Sequence, residues 1–381
     1  GCSAVRARGD TSGWVLALEG SGHCSPVSHE SRLPPARPRG EGGRVRPTSL
    51  PEVDYGATSV RPTFASLPPE VQVACGDAVG SAVVSASPPV GSGFTGAFAG
   101  LLHLADGRRV FAKAAGPRMP HVVRGLAAEE RILPLIAHLR CPSRLAGAAE
   151  VSTADGPWRV LVLDAIDGRQ PGAPWSSADA DAAATACLEV AAVPSGVAAA
   201  VATGTLASDL GGDVEALEAL EATAGGTRAW PSDLPPLDGK CLADLAALGL
   251  RAERALEGES LVHADTRPDN LLIEPAGTAR IVDWNHATLG APWVDLVALW
   301  PLMRHHGVGV HRFAGAPALD GVPEEDIDAF LAILVGYLLC DLDAPPPPGC
   351  TPALRRHQLL IAGASTALLT QRRGWVQRAP G

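Results

Sequence analysis

The sequence predicts a two-lobed α+β fold in which a small antiparallel β lobe precedes a larger, mainly α-helical lobe, and three observations carry that prediction. Strand-like apolar runs joined by tight turns occupy the region from Phe98 to Ile166. An alanine-rich stretch with helical character follows, as far as about Glu221. Further on, Leu261 to Trp284 sets short apolar runs against polar loops rich in Asp, Asn and His.

Length and composition bound what such a chain does. With 381 residues, 46% of them hydrophobic, there is enough apolar material for two lobes with a shared core. The net charge of -10 argues against a dedicated nucleic-acid binder, which needs a basic face for phosphate backbones. Eight cysteines are scattered without C-x-x-C spacing and read as reduced thiols. The apolar run Trp14 to Leu18 is too short for a signal-peptide core. Pro194, Ser195 and Gly196 interrupt the richest apolar stretch, so no membrane span is predicted and a cytoplasmic protein is expected, monomeric or homodimeric. Because the sequence opens on Gly1, a processed or truncated product is expected.

Taken in order, residues 1–58 are rich in Gly, Pro, Ser and Arg without apolar periodicity and predict a disordered extension. Arg8-Gly9-Asp10 within it is a chance tripeptide. Residues 59–166 form the predicted first lobe. Phe98 to Leu104 and Arg109 to Ala114 flank Asp106-Gly107, a hairpin turn signal. Upstream, Gly91, Gly93 and Gly96 give the spacing G-x-G-x-x-G. In a dinucleotide-binding fold that spacing leads from a strand into a helix; here it leads into a hairpin. Such glycines suit a turn between antiparallel strands whose backbone N–H groups approach phosphate oxygens.

Leu126 to Leu139 predicts a helix with Ile132, Leu135, Ile136 and Leu139 as its apolar stripe. Trp158 to Ile166 predicts a strand ending at the lobe boundary, Asp167-Gly168. Residues 167–381 form the second lobe. Its helices break at Pro194, Gly196 and Gly211-Gly212, and an amphipathic helix is predicted from Leu242 to Leu256.

The chemistry concentrates after that helix. His263-Ala264-Asp265 with Asn270 five residues beyond Asp265, then Asp283, matches the catalytic and metal-binding loops of kinases in order and spacing. Phosphoryl transfer asks for positioning and charge neutralisation. Asp265 would orient an acceptor hydroxyl and take its proton, while Asn270 and Asp283 offer hard oxygen atoms to Mg²⁺. Arg267 would supply a fixed cation for the γ-phosphate. Lys113, near the end of the second hairpin strand, stands where kinases keep the lysine for the α- and β-phosphates. An acid on the following helix would hold it extended, Glu129 first and Glu130 as the alternative. Adenine would be read at the lobe boundary by the Asp164 carbonyl and the Ile166 amide. His263 reads as a packed, hydrogen-bonded loop residue, since the aspartate carries the proton chemistry.

From about Pro62 onward the chain resembles the aminoglycoside phosphotransferase family, within the protein-kinase-like superfamily. The resemblance rests on the residues above, on Ile281-Val282-Asp283-Trp284 and on Gly290-Ala291-Pro292-Trp293-Val294-Asp295-Leu296. It implies ATP and Mg²⁺ as cofactors and a small hydroxylated molecule as phosphate acceptor. It also implies Asp265 as base, Asn270 and Asp283 as magnesium ligands, Lys113 with Glu129 on the phosphates, and Asp295 as a brace for the catalytic loop. Ala264 departs from the family's usual glycine. A nucleotide-binding pseudokinase without turnover is the alternative reading.

The acceptor stays open. Glu324, Glu325, Asp326 and Asp328 would suit a cationic substrate but equally the first turn of a helix after Pro323. Trp175, Trp230, Trp293 and Trp300 are candidates to line an apolar pocket. His305-His306 has no partner at metal-ligand spacing in the sequence and reads as a helix end before Gly307.

Overall fold

Side-chain alternation builds the first lobe of the computed structural model, which describes residues 50–347 and 349–375. Of the extension predicted over residues 1–58, residues 1–49 lie outside the described residues. Five strands, β1 (Val83–Ala86), β2 (Phe98–Leu104), β3 (Arg109–Ala115), β4 (Leu145–Thr153) and β5 (Gly156–Asp164), form one antiparallel sheet in the order β1-β2-β3-β5-β4. Val110, Ala112 and Ala114 of β3 pack with Phe98, Leu102, Val160 and Val162 against helix α1 (Pro69–Asp77). With a period of two, Phe111 and Lys113 turn to the other face, toward the second lobe. Gly107, at φ +85°, makes the tight β2-β3 turn.

Helix α2 (Pro120–Leu135) follows β3 and buries Leu126, Glu129, Ile132 and Leu133 on one stripe. It starts earlier than the predicted Leu126, because Pro120 has a φ already set for a first helical turn. It stops short of Leu139, since Pro134 removes an N–H from its last turn.

The second lobe is helical, as predicted: α3 (Ser177–Ala191), α4 (Ser195–Val201), α5 (Val214–Ala224), α6 (Gly239–Gly249), α7 (Ala252–Ala255), α8 (Val294–His305), α9 (Glu324–Leu339) and α10 (Ala353–Arg373). Ser176, Asp213 and Asp238 cap α3, α5 and α6 through their side-chain oxygens. The helix predicted from Leu242 to Leu256 is two helices, broken between α6 and α7. Apolar spacing continues across that break and so conceals it. Helix α9 is buried along almost its whole length and carries α5, α6, α8 and α10 around it. Among the described residues no single helix is long and apolar enough to cross a membrane.

Two small ladders present the loops of interest: β6 (Ser260–Val262) pairs with β9 (Thr288–Gly290), and β7 (Leu271–Ile273) with β8 (Ala279–Ile281). Residues 263–270 and 282–287 are thereby held side by side at the top of the second lobe.

The extension boundary is corrected by the structure, because residues 50–58 are packed. Leu50 lies against Gly363 of α10, and Val53 and Thr58 are buried. The Thr58 and Ser59 amides donate to the Gly91 carbonyl, and the Thr351 hydroxyl donates to the Thr58 carbonyl. Composition read this segment as unable to offset its ordering entropy, but it does so by adding a few apolar groups to a surface already formed. We call residues 50–61 the strap.

Candidate active site

The catalytic-loop conformation is imposed from below by Asp295 in the first turn of α8. Its carboxylate accepts from the His263 amide at 2.7 Å, the Ala264 amide at 3.1 Å and the Thr266 hydroxyl at 2.8 Å. Holding two successive amides on one carboxylate forces a sharp bend, and Ala264 takes φ +64°. His263 is buried edge-on to Trp284. Its Nδ1 accepts from the Asp265 amide, so Nε2 carries the proton and donates to the Val282 carbonyl. Burial pushes His263 down to about 4, which keeps it neutral. It links the two loops and holds no acid-base position.

Asp265 is only 6% exposed, and each of its oxygens is engaged. Oδ1 accepts from Arg267 Nη1 at 2.9 Å and Oδ2 from Asn270 Nδ2 at 2.8 Å. Burial drives its carboxyl well above the ordinary aspartate range, against the pull of Arg267. Asn270 spends its amide nitrogen on Asp265, both side chain and carbonyl, which leaves its amide oxygen as the atom to offer a cation.

From the first lobe, Lys113 Nζ donates to Glu129 Oε2 at 2.7 Å and to Asp283 Oδ1 at 3.0 Å. The lysine thus bridges β3, α2 and the second polar loop. Burial disfavours its charge, but the carboxylates of Asp283 and Glu129 more than offset this and raise its pKa. Burial also opposes ionisation of Asp283, and Lys113, His286 and Arg267 overcome it and hold that carboxylate low. Glu129 is fully buried and faces Lys113, whereas Glu130 turns away to pair with Arg159 on β5. The choice between the two acids falls to Glu129.

Lys113, Asn270 and Asp283 face a cleft of about 620 Å³ between the lobes, within the usual range for small-molecule sites, whereas the buried Asp265 and Glu129 stand behind its lining. Val90, Ala99, Phe111, Leu163, Leu272 and Val282 form its apolar walls. Lys113, Asp269, Asn270 and Asp283 form its polar end, and Asp164 and Ile166 line the edge where the lobes join. Asp269, which the motif spacing does not mark, joins this polar end. One of its oxygens accepts from Arg267 Nε, and the other is buried without a hydrogen-bond partner. An orphaned carboxylate oxygen, the Asp283 carboxylate and the Asn270 amide oxygen together are hard donors of the kind Mg²⁺ takes. The residues present therefore fit a nucleotide with its magnesium.

The model of the phosphotransferase enzyme family matches residues 93–354. The chain belongs to that family. Among solved structures, this phosphotransferase is similar to an aminoglycoside phosphotransferase from Alicyclobacillus acidocaldarius, with 16% identity, 81% of this chain and 96% of that one covered, and a TM-score of 0.46. It is also similar to a macrolide 2'-phosphotransferase from Brachybacterium faecium, at 18% identity, 74% and 94% coverage and a TM-score of 0.43. A choline kinase from Streptococcus pneumoniae gives 14%, 71% and 89%, with a TM-score of 0.44. No curated protein matches.

Several predicted positions of the phosphotransferase differ from expectation. Of the three glycines, only Gly93 lines the cleft, at φ +82°. A Cβ on Gly91 would stand 2.3 Å from the Gly56 carbonyl oxygen, and one on Gly96 would stand 3.2 Å from the Gly349 Cα. Those two glycines let the strap and the 349 turn approach the loop. Arg267 does not line the cleft either. It is paired with Asp265 and Asp269 and stacked on Phe94, because two adjacent carboxylates hold a guanidinium firmly.

A different cation reaches the cleft from the strap. Arg61 donates to the carbonyls of Ser92 and Ala97, each at 2.7 Å, and to the Thr95 hydroxyl. Nothing in the local sequence around Arg61 marks it, since its position depends on the strap's path. The acceptor candidates also change character. Trp175, Trp293 and Trp300 are buried in the core, and Trp230 donates its indole N–H to the Pro235 carbonyl. Glu324 and Glu325, in the first turn of α9, pair with Arg372 and Arg251, and the buried Asp328 one turn on pairs with Arg372 as well.

Proposed function

We propose that this phosphotransferase moves the γ-phosphoryl group of ATP, bound with Mg²⁺, to a hydroxyl of a small molecule. The observation that carries the reading is Lys113 Nζ bridging Glu129 and Asp283 at 2.7 and 3.0 Å across the cleft. That bridge links a phosphate-binding cation to a metal-binding carboxylate. The adenine would lie against the apolar walls, with the Asp164 carbonyl and the Ile166 amide at its edge. Lys113 would engage the α- and β-phosphates, and the backbone around Gly93 would lie over the phosphates. Asn270 and Asp283 would hold the magnesium, which neutralises charge on the transferring group.

Asp265 orients the acceptor hydroxyl and takes its proton as the new O–P bond forms and the bond to the leaving ADP breaks. A carboxylate whose burial has raised its pKa is a better proton acceptor than a solvated one. Arg267 holds that carboxylate in place. The full set Lys113, Asp265, Asn270 and Asp283 favours turnover over a pseudokinase.

The test is Asp265→Asn, assayed by ADP release against a panel of hydroxylated antibiotics and metabolites. The rate should fall by about 10² to 10⁴, roughly 3 to 5 kcal/mol of barrier. Thermal stabilisation by Mg-ATP should persist, because nucleotide binding does not pass through Asp265. An unchanged rate would remove Asp265 from the mechanism, and stabilisation by Mg-ATP without turnover of any acceptor would favour the pseudokinase.

A further inference from the structure

His305 and His306 end helix α8, and the fold brings the strap's Glu52 to them from the far end of the described chain. One ligand atom from each of the three lies within 4.8 Å of the others. We propose that Glu52, His305 and His306 form a binding site for a borderline divalent transition-metal ion, Zn²⁺ fitting best, which fastens the strap to the second lobe.

Two imidazoles and one carboxylate are a donor set that zinc takes in tetrahedral geometry, with water in the fourth position. Donors on one such ion, each at about 2.0–2.2 Å, stand roughly 3.4 Å apart. Glu52 and His305 are exposed, which leaves their side chains room to move toward that separation. The second observation concerns His306. Both of its ring nitrogens are buried and neither has a hydrogen-bond partner. A neutral imidazole has one donor and one acceptor to satisfy, and leaving both unmade in a buried position is costly unless something else binds there.

The location favours a cation as well. His305 is the last residue of α8 and His306 its C-cap, where the helix macrodipole is negative. The site also differs in kind from the cleft. Imidazoles select Zn²⁺ and its neighbours, whereas the cleft offers hard oxygens suited to Mg²⁺. Such an ion would tie down the strap three residues before Tyr55. The Tyr55 hydroxyl is bonded to His357 Nδ1 at 2.8 Å, and the His357 ring lies beside Phe94, which covers Arg267. The metal would thus secure one end of the segment that closes over the catalytic loop.

The experiment uses Co²⁺ as a spectroscopic probe on the full chain without nucleotide, in an Asp283→Asn background that weakens the cleft as a competing site. One Co²⁺ should bind, with four-coordinate ligand-field bands, no thiolate charge-transfer band, and displacement by Zn²⁺. Glu52→Gln and His305→Ala change exposed side chains and should leave folding intact. Each should weaken binding by at least the roughly 10–100-fold that losing an outer-shell partner of a metal site costs. Metal should also slow amide exchange across residues 52–57 in the parent and not in Glu52→Gln. No uptake of Co²⁺, affinity unchanged in the Glu52→Gln/His305→Ala double variant, or strap exchange indifferent to metal would each overturn the proposal. None of these readouts depends on phosphotransfer, so the site and the proposed activity fail separately.

Discussion

Ala264 carries a backbone cost that only its φ of +64° reveals. The sequence showed that an alanine stands where the resembling family keeps glycine, and a methyl group looks harmless until the left-handed conformation is seen. An L-residue there costs about 1–2 kcal/mol, while glycine's extra unfolded-state freedom returns about 0.4–1. Ala264→Gly should therefore stabilise the protein by roughly 0.5–1 kcal/mol, read as a raised urea midpoint with unchanged slope. Destabilisation would show that the Ala264 methyl makes packing contacts worth more than the strain. The other single residues divide the same way. The spacing of Asp265, Asn270 and Asp283 suggests neighbouring loops, and the two small ladders do set those loops side by side. Arg267 turns from the cleft because Asp269, two positions on, competes for it, and Arg61 reaches the cleft by a path with no local signature in the sequence.

Elements were legible where one periodicity governs them. Alternation in β3 put Lys113 on the cleft face, and the stripe on α2 put Glu129 beneath it. The strap defeated composition because its order comes from the surface it covers. Helix α8 shows how an element governs a loop it does not contain, since Asp295 holds three donors of the catalytic loop. Asp295→Ala would strand those buried donors, at about 1–3 kcal/mol each before relaxation. We expect a loss on the order of 3 to 5 kcal/mol in chemical denaturation, with activity falling in step. A variant that keeps its stability while losing activity would mean that the loop finds other acceptors and that Asp295 acts on geometry alone. Glu129→Gln is the complementary change across the cleft. It keeps the shape but weakens the hold on Lys113, and the KM for ATP should rise about tenfold, the equivalent of one charge-assisted hydrogen bond. An unchanged KM would mean that Asp283 alone positions the lysine.

At the scale of the whole molecule, the strap, the first-lobe loop and α10 meet on His357, which is buried and pushed down to about 3. Its ordinary value in an unfolded chain is about 6.5. The unfolded state therefore takes up this proton first as pH falls, so the stability tied to neutral His357 is complete above about pH 6.5 and is lost progressively toward pH 3. His263, held near 4, acts in the same direction. Asp265, Asp295 and Glu129 act in the opposite one, because burial raises them and the folded state binds their protons first. The net pH curve accordingly mixes the two signs, and a comparison between proteins separates them. His357→Gln keeps a polar group beside the Tyr55 hydroxyl and removes the titration. Between about pH 6 and pH 4 the stability advantage of the parent over this variant should shrink by roughly 1.4 kcal/mol per pH unit, the value for one proton. Urea midpoints measured at half-unit steps would read it. A constant gap would mean that His357 is already protonated in the folded protein, and that the strap closes over the catalytic loop on a charged imidazole.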